Sequence, residues 1–263
     1  MTALVSVARY RRRVGASLER VWENVRDWEH LPWLHRDSFK SIALREAGDF
    51  GWRARAEMRA VPGTFDLELV IGNDDRYVSR TLSGPGAGTE IWTSLDPVDA
   101  AHTDIEVEFC LPDVPAERVD AFGERYVALY TQLWDEDEAM MQRRSWLLDG
   151  PGRGALAPDA VDLGPVDALA SRVPLRVEVG GRPVVVWRDE DNWLAFDALC
   201  PHALGPLDAA PIESGRVICP WHGYAFDVRS GRGCDGHERL RLASAPRLEQ
   251  RDGHLWALPA AKR

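Results

Sequence analysis

Residues 14–35 read VGASLERVWENVRDWEHLPWLH. Ser17 is placed to cap a helix starting at Leu18, because its hydroxyl can accept from an otherwise unpaired amide of the first turn. Val21, Trp22 and Val25 then share one face of that helix. Pro32 ends or kinks it. Upstream, VARYRRRV (7–14) alternates as a strand. Downstream come six alternating stretches separated by turn residues: 41–47, 50–60, 64–72, 76–84, 89–95 and 103–111. Pro115 opens a long helical pattern that ends near Leu148. Val119, Phe122, Tyr126, Leu129, Tyr130, Leu133 and Trp134 sit in it at helical spacing. The order is strand, short helix, about six strands, long helix. It predicts an antiparallel sheet wrapped on one long helix.

The opening stretch also contains Asp27-x-x-His30-x-x-x-x-His35. Two neutral imidazoles and a distant carboxylate form the facial triad of non-haem Fe(II) oxygenases, with coordination positions left for dioxygen. The same pair of histidines also occurs as ordinary structure after a first helix. Trp22, Trp28, Trp33 and Trp134 read as core or cavity lining.

Residues 149–165, DGPGRGALAPDAVDLGP, lack hydrophobic periodicity and read as a seam. The organisation expected is therefore a first domain at 1–149, a linker at 150–165 and a second domain at 166–263. In the second domain short strands dominate: 175–179, 183–188, 193–196 and 255–258. They suggest a small all-β domain, and the whole chain is of α+β class.

The sharpest chemical signal is Cys200-Pro-His202, then sixteen residues, then Cys219-Pro-Trp-His222. Each short spacing presents one thiol and one imidazole at the tip of a loop. Cys200, His202, Cys219 and His222 could hold tetrahedral zinc or a [2Fe-2S] cluster with cysteines on one iron and histidines on the other. Cys110 and Cys234 have no spaced partner and read as ordinary residues. His237 and His254 read as surface residues.

The second half closely resembles the Rieske family, through residues 166–259. The resemblance extends past the second histidine, through CPWHGYAFDVRSGR (219–232), a continuation that a zinc site does not need. It implies a [2Fe-2S] cluster on Cys200, His202, Cys219 and His222. Respiratory Rieske domains carry two further, disulfide-linked cysteines, and the matching positions here are Gly205 and Trp221. Tyr224 and Phe226 stand where those proteins place Ser and Tyr hydroxyls near the sulfurs. Fewer donors to sulfur imply a low potential.

The first half resembles the START and polyketide-cyclase (SRPBCC, helix-grip) superfamily over residues 5–148, which implies an apolar cavity between sheet and helix. The D-x-x-H-x-x-x-x-H motif resembles that of Rieske non-haem iron oxygenases, whose catalytic domain is itself a helix-grip fold. That resemblance implies mononuclear Fe(II) on His30 and His35, with Asp27 as an electron-transfer bridge. It also implies a third ligand on the long helix, within LWDEDEAMMQRR (133–144). Asp137 matches, with Asp135 and Glu138 as competitors. Two departures stand out. The Rieske domain comes last, where the family has it first, and only 101 residues separate His35 from Asp137.

The chain has 263 residues, 45% hydrophobic and 28% charged, a globular composition. Its net charge of −10 lies almost wholly in residues 1–150, with 18 basic against 27 acidic side chains. An acidic chain with no basic block excludes nucleic acid as a partner. No apolar run spans a bilayer, and the N-terminus lacks the order of a secretory signal, so the expected location is the cytoplasm. No flavin or nicotinamide fingerprint is present, which implies a separate flavin reductase or ferredoxin. The expected function is an oxygenase hydroxylating or demethylating a small apolar or aromatic substrate, with a homotrimer implied by resemblance. The alternatives are a Rieske ferredoxin-like carrier fused to a metal-free ligand-binding domain, and a START-type cyclase with a redox accessory.

Overall fold

The computed structural model describes residues 3–73, 75–150, 160–179 and 181–258. The chain divides into two compact units, Met1–Ser145 and Trp146–Arg263.

The first unit opens with strand β1 (Leu4–Val14), then helix α1 (Leu18–Arg26) and the one-turn helix α2 (Leu31–Leu34). Six strands follow: β2 (Phe39–Gly48), β3 (Gly51–Met58), β4 (Thr64–Asn73), β5 (Arg76–Ser83), β6 (Glu90–Pro97) and β7 (Thr103–Pro112). Helix α3 (Val119–Asp149) closes the series. The Ser17 hydroxyl accepts from the Arg20 amide at 3.3 Å, as its position before the helix requires. Pro32 does not end α1. That helix stops at Asp27, whose amide turns back to the Asn24 carbonyl at 3.1 Å. Pro32 instead sits in the first turn of α2, where its missing N–H leaves nothing unpaired.

All strand pairs in this unit are antiparallel, in the order β1-β7-β6-β5-β4-β3-β2. β7 shows why: its side chains alternate between buried and half-buried along the whole strand. Phe109 of β7 meets Tyr126 and Tyr130 of α3 with ring centroids 5.2 and 4.8 Å apart. Val21 of α1, Trp52 of β3 and Trp134 and Met141 of α3 complete the same core. Trp33 departs from expectation. It lies in the single turn of α2, too short for an inward stripe, and is 43% exposed.

Gly123 lets α3 approach β1. A Cβ there would lie 2.5 Å from the Val7 carbonyl oxygen. Gly123→Ala is expected to destabilise the first unit by about 1–3 kcal/mol through overpacking. Thermal unfolding measures this, and an unchanged midpoint would show that the backbones separate freely.

The second unit contains strands β8 (Val161–Pro165), β9 (Leu175–Val179), β10 (Arg182–Asp189), β11 (Asn192–Asp197), β12 (Ile212–Glu213), β13 (Arg216–Ile218), β14 (Ala225–Asp227), β15 (Arg247–Arg251) and β16 (His254–Leu258). Among the described residues they make three small sheets, β11-β10-β9, β12-β13-β14 and β15-β16-β8. Two expectations change. Residues 161–165 of the expected linker form β8, paired with β16, while 151–159 lie outside the described residues. The domain also carries one short helix, α4 (Val166–Ala170), whose Leu169 is buried against Val186 and Leu255. Together, an antiparallel sheet with one long helix followed by a β-rich unit make an α+β chain.

Candidate metal centres

In the first unit α2 is a single turn, and it presents His30 and His35 from its two ends. Their rings lie 5.1 Å apart at 72°. α3 brings Asp137 to both: Asp137 Oδ1 is 3.4 Å from His30 Nε2 and 3.1 Å from His35 Nε2. Ligand atoms of the three residues all lie within 4.8 Å of one another, and all three residues are buried. Asn24 Nδ2 donates to the same Asp137 oxygen at 2.9 Å.

Asp27 lies behind His30, its Oδ2 3.5 Å from His30 Nδ1, while its Oδ1 accepts from the Glu29 amide at 3.0 Å. The competing carboxylates turn away. Asp135 and Glu138 both pair with Arg12 of β1, and Glu138 also accepts from the Gly15 amide at 2.8 Å. Sequence reasoning missed Glu136, which accepts from His35 Nδ1 at 2.6 Å. It stood beside Asp137 in the acidic run, but nothing in the spacing marked it.

Charge follows the geometry. Burial opposes a charge on His30, yet Asp137 and Asp27 outweigh it and hold the imidazole up to about 10. Burial would raise Asp137, but the two histidines hold it well below the usual carboxylate range. In the absence of metal this is a buried ionic cluster. Two imidazoles aimed by Nε2 at one carboxylate are also the donor set of a facial triad, so the residues fit a divalent metal. The cluster forms one wall of a cavity of about 120 Å³, otherwise lined by residues such as Trp52, Leu67, Leu69, Tyr77 and Trp134. Typical ligand pockets are roughly 300–1,000 Å³, so only a small molecule enters without side-chain movement.

In the second unit the two Cys/His loops are built alike. The Leu204 amide donates to the Cys200 carbonyl at 3.0 Å, and the Cys200 amide to the Gly205 carbonyl at 2.9 Å. The Gly223 amide donates to the Cys219 carbonyl and the Cys219 amide to the Tyr224 carbonyl, both at 2.9 Å. Amides of His202 and Ala203 point at the Cys200 sulfur, and those of Trp221 and His222 at the Cys219 sulfur. Both thiols are fully buried and unpaired by disulfide. They face each other. Sharing a proton pushes Cys200 up and brings Cys219 down to about 5. The His202 and His222 rings lie 4.5 Å apart at 86°.

A Cβ on Gly205 would sit 2.6 Å from the Cys219 sulfur and 3.2 Å from the Trp221 ring. The space beside the sulfur is therefore kept free by a residue without a side chain. Two buried thiols, two converging imidazoles and this cradle fit a [2Fe-2S] group. His237, expected at the surface, is half-buried. It stacks on Tyr224 at 3.8 Å, and Tyr224 stacks on His202 at 4.4 Å. The turn at 233–240 folds it there, closed by hydrogen bonds from the His237 amide to the Cys234 carbonyl and from the Gly233 amide to the Leu240 carbonyl.

Residues 159–246 match the family model of the Rieske [2Fe-2S] domain. The chain carries a Rieske domain. Its curated relatives share that part. A pheophorbide a oxygenase of Arabidopsis thaliana, a chloroplastic protein, is 36% identical over 33% of this chain and 16% of its own. The anthranilate 1,2-dioxygenase ferredoxin subunit of Burkholderia cepacia is 33% identical over 26% of this chain and 64% of its own. The chain therefore spans less than two thirds of these relatives. Among solved structures, a START superfamily protein from Mycobacterium smegmatis is similar at 18% identity, over 54% of this chain and 98% of its own, with a TM-score of 0.42. Among the described residues no helix is long and apolar enough to cross a membrane.

Proposed function

We propose that this Rieske-domain chain is a Rieske-type non-haem iron oxygenase, supplied with electrons by a separate reductase or ferredoxin and acting on a small apolar substrate by hydroxylation or demethylation. The observation that carries the reading is the buried His30–His35–Asp137 cluster on the wall of an apolar cavity. When bound, mononuclear Fe(II) supplies dioxygen activation and the [2Fe-2S] cluster supplies one-electron chemistry.

The chain's own residues do the rest. His30 and His35 offer Nε2, and Asp137 offers a carboxylate oxygen, to the iron. Asn24 fixes that oxygen by donating to it. Asp27 holds the far nitrogen of His30. Trp52, Leu69 and Trp134 exclude water and favour an apolar guest. Cys200, Cys219, His202 and His222 hold the cluster, and Gly205 leaves room beside the Cys219 sulfur. In this reading residues 1–149 are the oxygenase domain and 166–263 the Rieske domain.

Iron and acid-labile sulfide per chain test the proposal, on protein purified anaerobically and supplied with Fe(II). Three irons and two sulfides are expected, with one iron lost in His30→Ala. Two irons and two sulfides in the wild type would overturn the oxygenase reading and leave a Rieske electron carrier joined to a metal-free pocket. Zinc without sulfide would overturn both.

A further inference from the structure

His35 is almost completely buried, and α3 reaches both of its ring nitrogens. Asp137 faces Nε2 at 3.1 Å and the adjacent Glu136 takes Nδ1 at 2.6 Å. Neighbouring helix residues point about 100° apart, so one turn of α3 clasps the ring from two sides. Glu136 is itself fixed: its other oxygen accepts from Gln132 Nε2 at 3.2 Å, one turn earlier on the same helix. Behind His30, Asp27 Oδ2 lies 3.5 Å from Nδ1. A carboxylate accepts only from a protonated nitrogen. The short contact therefore places a proton of His35 on Nδ1, and Nε2, 3.1 Å from Asp137, is the nitrogen whose lone pair an ion would take in place of a proton.

We infer that Glu136 is a positioning residue for a divalent metal at this cluster: it fixes the tautomer and orientation of His35 and raises the basicity of Nε2 toward the ion. The inference rests on the metal reading of the cluster proposed above. It distinguishes two carboxylates that the sequence places side by side, with Asp137 as ligand and Glu136 as the group behind a ligand. Loss of such an outer carboxylate typically weakens metal binding by about 10–100-fold.

The test is Mn(II) binding to the full chain with its oxidised cluster in place, followed by loss of the free-ion EPR signal. The wild type is expected to take one Mn(II) that His30→Ala does not. Glu136→Gln keeps the shape of the side chain and removes its charge. It should bind Mn(II) about 10–100-fold more weakly, with an unchanged metal-free unfolding midpoint. Equal affinity in Glu136→Gln and wild type would overturn the role of Glu136 and leave the metal site standing. A wild type that takes no Mn(II) would overturn the metal site itself. A second measurement needs no variant. In the Zn(II)-loaded wild type the His35 Nδ1 proton should exchange slowly with water, and fast exchange would also overturn the inference.

Discussion

Asp137→Asn is expected to hold two irons and two sulfides, one iron fewer than the three that the proposed oxygenase reading requires of the wild type. The substitution keeps the size of the side chain, and its amide can still meet Asn24 or one histidine. It removes the negative charge on which two buried imidazoles converge. Breaking a buried ionic pair from one side costs roughly 3–5 kcal/mol, because the partner stays buried without compensation. The metal-free variant should therefore also unfold more easily.

The pH dependence gives that loss a signature. Metal-free His30 is held up to about 10 against an ordinary value of 6.5. Its charge therefore stabilises the fold fully below 6.5, and that contribution is lost as pH rises toward 10. Asp137 is held below its ordinary 3.8, so its contribution is present above that value and lost in acid. Denaturant unfolding of the chelator-treated wild type should show the first unit most stable between these two values and weakening steadily above 6.5. In Asp137→Asn the alkaline decline should flatten. A wild-type profile that is flat from 6.5 to 10 would show that His30 and Asp137 do not pair as described.

Gly205→Ala is expected to empty most of the [2Fe-2S] site although every ligand is still present. The added methyl would stand 2.6 Å from the Cys219 sulfur, a separation that carbon and sulfur do not tolerate. The Trp221 ring at 3.2 Å blocks the way on one side. The sulfur cannot retreat easily either, because the Trp221 and His222 amides aim at it and its own loop is closed by two backbone hydrogen bonds. Visible absorbance and sulfide per chain should fall several-fold below wild type, approaching the complete loss expected of Cys219→Ala. A Gly205→Ala protein with two sulfides per chain would mean that the two loops part without cost.

Much of this arrangement is legible in the sequence, for identifiable reasons. Alternation along 103–111 finds β7 because that strand is buried on one face throughout. Ser17 marks the start of α1 because capping is a local event. The end of α1 is not legible from Pro32, since the helix breaks earlier, at a turn with no proline. The choice among Asp135, Asp137 and Glu138 stays open in the motif alone. Helical spacing carries a further signal: Trp134, Asp137 and Met141 share one buried stripe, so Asp137 is the carboxylate that interrupts apolar positions. Asp135 and Glu138 lie off that stripe and meet Arg12. Glu136 and His237 were beyond reach for a different reason. Each acts on a partner through a pose that only the folded chain sets, Glu136 on His35 and His237 on Tyr224.

The clasp of α3 on His35 joins residues 101 positions apart. An ion held by His30, His35 and Asp137 is thus a staple across nearly the whole first unit. An unfolded chain keeps the two imidazoles five positions apart but no longer brings Asp137 to them. The ion therefore favours the folded form, by about 2.7 kcal/mol at a hundredfold excess over its dissociation constant. Iron supply would then set how long the first half survives proteolysis, as well as whether it works.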